Sequence, residues 1–161
     1  MQLPPFSLRP VGPGDEPFLL AVYASTREEE LRPVPWSDAE KEAFVRFQFE
    51  AQHKQYREHC ADARFDVICV GDRPVGRLYV HRSAEEIRII DIALLTAERG
   101  RGIGSALLER FLAESRETGV PVRIHVEKHN PAMRLYTRLG FVPIADRGVY
   151  LFLEWKARND A

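Results

Sequence analysis

Arg99-Gly100-Arg101-Gly102-Ile103-Gly104 runs directly into Ser105-Ala106-Leu107-Leu108-Glu109-Arg110-Phe111-Leu112, and this change from glycines to a helical period decides the fold. Ile103, Leu107 and Phe111, flanked by Leu108 and Leu112, recur on one helical face. Glu109, Arg110, Glu114 and Arg116 occupy the opposite face, and Gly119 stands where a left-handed residue would end the helix. The stretch therefore reads as a turn opening a helix. A helix start leaves backbone N–H groups unsatisfied and aims the positive end of its dipole at whatever lies before it. Gly100, Gly102 and Gly104 allow close approach, while Arg99 and Arg101 offer charge-assisted donors, so the turn is suited to hold a phosphate. A Walker loop would continue with lysine, but Ser105-Ala106 follows Gly104. A Rossmann fingerprint would need a small glycine-like residue at Ser105 and an opening βαβ unit before it.

The residues on either side define the frame. Upstream, Phe65 to Val70, the turn Gly71-Asp72-Arg73-Pro74, Val75 to Val80, and Glu86 to Leu95 read as three strands of an antiparallel meander. Before them, a short strand around Leu8 to Val11 gives way to Gly12-Pro13-Gly14-Asp15, with Asp15 placed to cap a helix reaching about Ser25. Ser37, with Asp38 and Glu40 after it, opens a second helix ending near His59. Downstream, Val122 to Val126 alternates as a strand, Asn130-Pro131 opens a short helix closed by Gly140, and Phe141-Val142 and Val149 to Trp155 read as closing strands.

Composition narrows the functional classes. The 23 Lys and Arg nearly balance the 24 Asp and Glu, which argues against a nucleic-acid or acidic-membrane partner. Cys60 and Cys69 show no metal-ligand or disulfide pattern, and Cys69 lies in an apolar run that suits a buried reduced thiol. His53, His59, His81, His125 and His129 lack metal-site spacing, so no metal is expected. No apolar run approaches the roughly 20 residues of a membrane span, and the first residues lack signal-peptide features, which makes a cytoplasmic location the expectation.

The Arg-x-x-Gly-x-Gly pattern of Arg99, Gly102 and Gly104 resembles the signature of the GNAT superfamily of N-acetyltransferases. Asp91-Ile92-Ala93-Leu94 before it, the amphipathic helix after it, and the segment Asn130-Pro131-Ala132-Met133-Arg134-Leu135-Tyr136-Thr137-Arg138-Leu139-Gly140-Phe141 extend the resemblance over roughly 87–141. It implies an α/β (α+β) fold: a central mixed, mostly antiparallel sheet of six to seven strands with about four flanking helices, forming a single domain over 1–161. It also implies transfer of an acetyl group from acetyl-CoA to an amine by direct attack in a ternary complex, with a non-catalytic acyl-CoA sensor as the alternative. By the same resemblance, the backbone of Ile92, Ala93 and Leu94 would meet the pantetheine arm, with Ala93 and Leu94 steadying the oxyanion. The amides of Arg99, Gly100, Arg101, Gly102, Ile103 and Gly104 would take the pyrophosphate, and Asn130 would meet the arm besides capping its helix. Tyr136 would serve as the acid for the leaving thiolate, although its place on an apolar helical face with Ala132, Leu135 and Leu139 also suits core packing.

The general base is less plain. An amine of ordinary pKa, about 10.4, is neutral in only about one molecule in 2,500 at pH 7. Where such proteins often place a glutamate, this chain carries Arg88, leaving Glu86 and Asp91 as candidates. A regular pleat sets Glu86 and Arg88 on one face and Asp91 on the other unless a bulge intervenes. His125 and Glu127 could serve through a water. The acceptor amine and the oligomeric state, a homodimer included, are left open by the sequence.

Overall fold

The computed structural model describes residues 3–158. Its elements follow the order β1 (Ser7–Pro10), α1 (Glu16–Leu31), α2 (Asp38–His59), β2 (Arg64–Val70), β3 (Arg73–Arg82), β4 (Ile87–Leu94), a 3-10 turn (Thr96–Glu98), α3 (Ile103–Thr118), β5 (Val122–Glu127), α4 (Met133–Leu139), β6 (Val142–Arg147) and β7 (Tyr150–Trp155). The strands form one seven-stranded sheet in the order β1-β2-β3-β4-β5-β7-β6. Every neighbouring pair is antiparallel except β4 with β5.

The sheet has two unlike faces. On one, α3 lays Ile103, Leu107, Leu108, Phe111 and Leu112 against Leu78, Val80, Ile89 and Ile124, and Tyr136 and Phe141 close the layer. This apolar face supplies most of the hydrophobic stabilisation. On the other face, α1 and α2 join through Leu19, Tyr23, Val45 and Phe49, and the strands beneath them contribute the buried polar side chain of Arg77.

Several boundaries differ from the sequence reading. Helix α1 continues past Ser25 to Leu31, because Arg27 through Glu30 remain good helix formers after the apolar stripe ends and Arg27 bonds Glu30 at 2.8 Å. Asp15 does not cap this helix with its side chain; the carboxylate instead takes both Arg9 nitrogens and the Gly12 amide. Ser37 and Glu40 form the reciprocal capping box that their spacing implies. Strand β4 begins at Ile87, so Glu86 stands just outside it. Helix α4 begins at Met133 rather than at Pro131. Strand β6 is Val142–Arg147 instead of Phe141-Val142; as an edge strand carrying Pro143 beside Asp146, it lacks the usual strand composition.

Candidate functional site

The glycine turn is built as an anion cradle. Gly100 and Gly102 have φ of +77° and +89°, a left-handed backbone that L side chains rarely adopt, and Gly102 caps the 16-residue helix α3. The Ala106 amide donates to the Gly102 carbonyl at 3.0 Å, while among the described residues the amides from Gly100 to Ser105 have no backbone acceptor. Arg99 is exposed and donates through Nε to the Leu94 carbonyl at 3.2 Å, leaving its terminal nitrogens unengaged. Arg101 donates to the buried Glu98 at 2.9 Å. Glu98 is also held by Arg73, whose bond, with that of Arg101, keeps its carboxyl below the usual carboxylate range. Arg101 thus braces the turn through Glu98 as well as charging it.

The strand leading to the turn leaves its neighbour. β4 pairs with β5 only at Ile87, Ile89 and the residue between, opposite Val122 to Ile124. Beyond that, β4 stays with β3 as far as Leu94 and β5 stays with β7 as far as Glu127, so the two strands open into a V. The Leu95 amide donates to the Val75 carbonyl at 2.9 Å, and strand alternation then turns the peptide groups of Leu94 and Ile92 toward the opening. Ala93, between them, turns its N–H toward β3, so the donors facing the V are Ile92 and Leu94 rather than Ala93 and Leu94. Gly76 makes this arrangement fit, since a Cβ there would strike the Ala93 carbonyl oxygen.

A bulge resolves the face of Asp91. Tyr79 pairs with Asp91 and Val80 with Ile89, leaving Ile90 without a partner. The extra residue puts Arg88 and Asp91 on the same face, with His81, Tyr79 and Arg77 opposite on β3. Asp91 pairs with the Arg77 guanidinium, a side chain only 3% exposed, which also donates to Gln52 at 3.1 Å and lies over the rings of Tyr23 and Tyr79. Glu86 is likewise engaged: Arg88 grips it through Nε and Nη2 at 2.5 and 3.0 Å, and Arg123 lies at 3.5 Å. Both carboxylates named from sequence are therefore matched by guanidinium groups.

Tyr136 lies in the apolar cluster under α3. Its ring is 4% exposed and packs edge-on against Phe141 at 5.5 Å, yet among the described residues its hydroxyl has no hydrogen-bond partner. Burial, with the Asp91 charge adding to it, pushes the phenol well above its ordinary value, so it stays protonated. Asn130 is exposed, and its Oδ1 accepts the Ala132 amide at 2.8 Å. It caps the turn before α4 and leaves its amide nitrogen unengaged.

A cleft of about 510 Å³ lies where α2, the start of β4 and the root of the V meet, bounded by Tyr56, His81, Glu86, Arg88, Ile90 and His125. His125 stacks on Phe152 at 4.3 Å, with ring planes 10° apart. Partial burial first, then the nearby Arg88 and Arg147, hold its imidazole below the ordinary value, so the ring is neutral at neutral pH. Glu127 is taken up by Arg27 at 3.1 Å. Arg77 escaped the sequence reading, because it lies in a strand of unexceptional composition, and Tyr56 stands on a helix face whose spacing reads as core although it borders the cleft. Cys60 and Cys69 are unbridged, and among the described residues no group of three or more His, Cys, Asp or Glu could hold a metal. No helix among the described residues is long and apolar enough to cross a membrane.

Comparison with known proteins gives a consistent picture. Residues 23–141 match the acetyltransferase (GNAT) family. A mycothiol acetyltransferase from Catenulispora acidiphila is 37% identical over 78 residues, which cover 47% of this chain but only 21% of that protein's length. Among solved structures, the PaiA N-acetyltransferase of Thermoplasma acidophilum, in complex with coenzyme A, superposes with a TM-score of 0.71 at 16% identity, covering 95% of this chain and 99% of that one. An acetyltransferase from Thermus thermophilus gives 0.66 at 26% identity, covering 98% and 100%. The seven-stranded sheet with four helices is the fold of these neighbours.

The cradle yields a direct test at Gly104, where an added Cβ meets nothing within 4 Å. An aspartate in the first turn of α3 suits the helix dipole, so Gly104→Asp is expected to fold with unchanged thermal stability. It should nevertheless weaken coenzyme A binding by at least about tenfold in calorimetry, through repulsion of phosphate. Unchanged affinity would remove the phosphate from this turn.

Proposed function

The chain belongs to the GNAT acetyltransferase family, and from that premise we propose that it transfers the acetyl group of acetyl-CoA to an amine in a ternary complex, its described residues acting as one catalytic unit. The observation that carries this reading is the V between β4 and β5, which leads from exposed peptide groups at Ile92 and Leu94 to the free amides of Gly100 to Ser105. A linear thioester with a pyrophosphate at its far end fits that shape. The turn, with Arg99 and the braced Arg101, takes the pyrophosphate, and Asn130 meets the arm with its amide nitrogen. The Ile92 and Leu94 amides hold the arm and the thioester oxygen.

The acceptor enters through the cleft beside His125. Its nitrogen attacks the thioester carbon, the carbon–sulfur bond breaks, and the electron pair leaves on sulfur. We assign acceptance of the amine proton to His125 in place of Glu86 or Asp91, because its ring is neutral and, among the described residues, carries no ion pair, whereas both carboxylates are held by arginines. Asp91 and Glu86 keep structural parts, fixing Arg77 and Arg88. With its raised pKa, Tyr136 acts chiefly as a hydrogen-bond donor to the departing sulfur, and the proton gathered at His125 completes the thiol. Nothing in this scheme needs an acyl-enzyme, a metal, a nucleic acid or a membrane, and the near-zero net charge of −1 gives no general pull toward nucleic acid or an acidic membrane surface.

Thiol release from acetyl-CoA with a panel of amines tests the reading; binding without release under every amine would leave an acyl-CoA sensor. Tyr136→Phe is expected to lower kcat about ten- to a hundredfold with acetyl-CoA affinity nearly intact. Full activity would return Tyr136 to a packing role. For His125, the basic form persists above its lowered pKa, so kcat/KM should hold as pH falls past 6.5 and decline only below it. His125→Gln should cost about a hundredfold in kcat/KM and remove that acid limb. An acid limb surviving in the variant would assign it to another group.

A further inference from the structure

The Arg88 guanidinium is held so that one of its two hydrogen-bonding edges is left over. A planar guanidinium can meet carboxylates side-on through Nε and one Nη, or end-on through both Nη atoms. Glu86 occupies the side-on edge, with its two oxygens at 2.5 and 3.0 Å from Nε and Nη2. Phe152 lies against the flat of the same group, its ring centre 4.6 Å from the Arg88 Cζ. Among the described residues, Nη1 has no acceptor. The carboxylate and the ring together fix a side chain that would otherwise sample many rotamers, and this preorganisation favours a ligand for the remaining edge.

The surrounding charges point the same way. Glu86 is shared by Arg88 and Arg123, so it is not free to attract an ammonium. Arg123 is shared in turn with Glu154 at 2.9 Å. Arg147 approaches Phe152 at 5.7 Å, and among the described residues it has no carboxylate partner. The open charge of the cleft is therefore positive. A positive wall also disfavours the ammonium form of a bound amine, which is the form that must be lost before attack.

Resting on the acetyl-transfer reading, we propose that the acceptor is a small amine carrying a carboxylate several bonds away, and that the carboxylate docks end-on against Arg88. The cleft volume of about 510 Å³ falls in the range of small-molecule sites. At about 3.3 Å per strand residue, and allowing for the bulge, Arg88 stands roughly 10–13 Å along β4 from the Ile92 amide. That span excludes an α-amino acid reacting at its own α-amine, whose carboxylate is on the adjacent carbon. It suits an ω-amino carboxylate, with the amine at the V and the anion at the far wall.

The experiment compares thiol release from acetyl-CoA with 6-aminohexanoate and with hexylamine, using the wild-type protein, Arg88→Gln and Arg88→Lys. The ratio of kcat/KM values, carboxylate over alkyl, is expected to be about tenfold or more in the wild type. It should fall to near one in Arg88→Gln and take an intermediate value in Arg88→Lys, which keeps the charge without the fork. Because each variant is compared with itself, a general loss of activity does not move the ratio. A wild-type ratio of one or less, or an unchanged ratio in Arg88→Gln, overturns the proposal. Calorimetry of 6-aminohexanoate on the protein saturated with coenzyme A separates the two readings. Binding that weakens about tenfold in Arg88→Gln, with no thiol released from any amine, supports the carboxylate site while the transfer reading fails. Binding equal in the wild type and Arg88→Gln overturns the carboxylate site whatever the turnover.

Discussion

The structure depends on where β4 stops pairing with β5. Three residues of parallel ladder, Ile87 to Ile89 against Val122 to Ile124, hold the two halves of the sheet together, and the strands part beyond them. Strand edges with unpaired peptide groups are normally covered, because a buried N–H or C=O without a partner costs free energy. Here the exposed groups at Ile92 and Leu94 lead straight to the uncapped start of α3. Two sets of unsatisfied donors, Ile92 with Leu94 and then Gly100 to Ser105, therefore mark one path from the middle of the sheet to its rim. A ligand with a matching line of acceptors satisfies both.

The bulge at Ile90 is what makes the opening chemically useful. Without it, Asp91 would face the apolar layer under α3; with it, Arg88 and Asp91 share the polar face under α1 and α2. Arg77 then becomes the hub of that face. It reaches Gln52 on α2, lies against Tyr23 on α1 and pairs with Asp91 on β4, so three elements are registered by one nearly buried guanidinium. Removing one partner of such a buried pair leaves an uncompensated charge, which makes the arrangement costly to alter. The division of labour follows: the apolar face stabilises, and the polar face positions.

Much of this was legible in the sequence because the informative residues were local. The glycine turn, the amphipathic period of Ile103 to Leu112, the capping box at Ser37 and Glu40, and the block from Asn130 to Phe141 each carry their reading within a few positions. The sheet order and the helix pair were less so. Strand β6 hid behind Pro143, and α1 outran its apolar stripe because charged residues extend a helix without marking it. The polar face was the least visible part. Which carboxylate meets which guanidinium depends on a single extra residue in β4, and no periodicity announces a bulge. Glu86 and Asp91 read from the sequence as candidate bases, and in the structure each lies within reach of an arginine. Arg88, which reads as a departure from the family pattern, is in the structure an organised part of the cleft wall.

Amide chemical shifts on titration with coenzyme A test the line of donors from β4 to α3 most directly. The largest changes are expected on the backbone amides of Ile92, Leu94 and Gly100 to Ser105, with smaller ones at Asn130, while the far edge at β1 and β2 stays still. Saturating coenzyme A that leaves the Gly100 to Ser105 amides unmoved, or moves a different surface instead, would contradict this line of donors as the cofactor site.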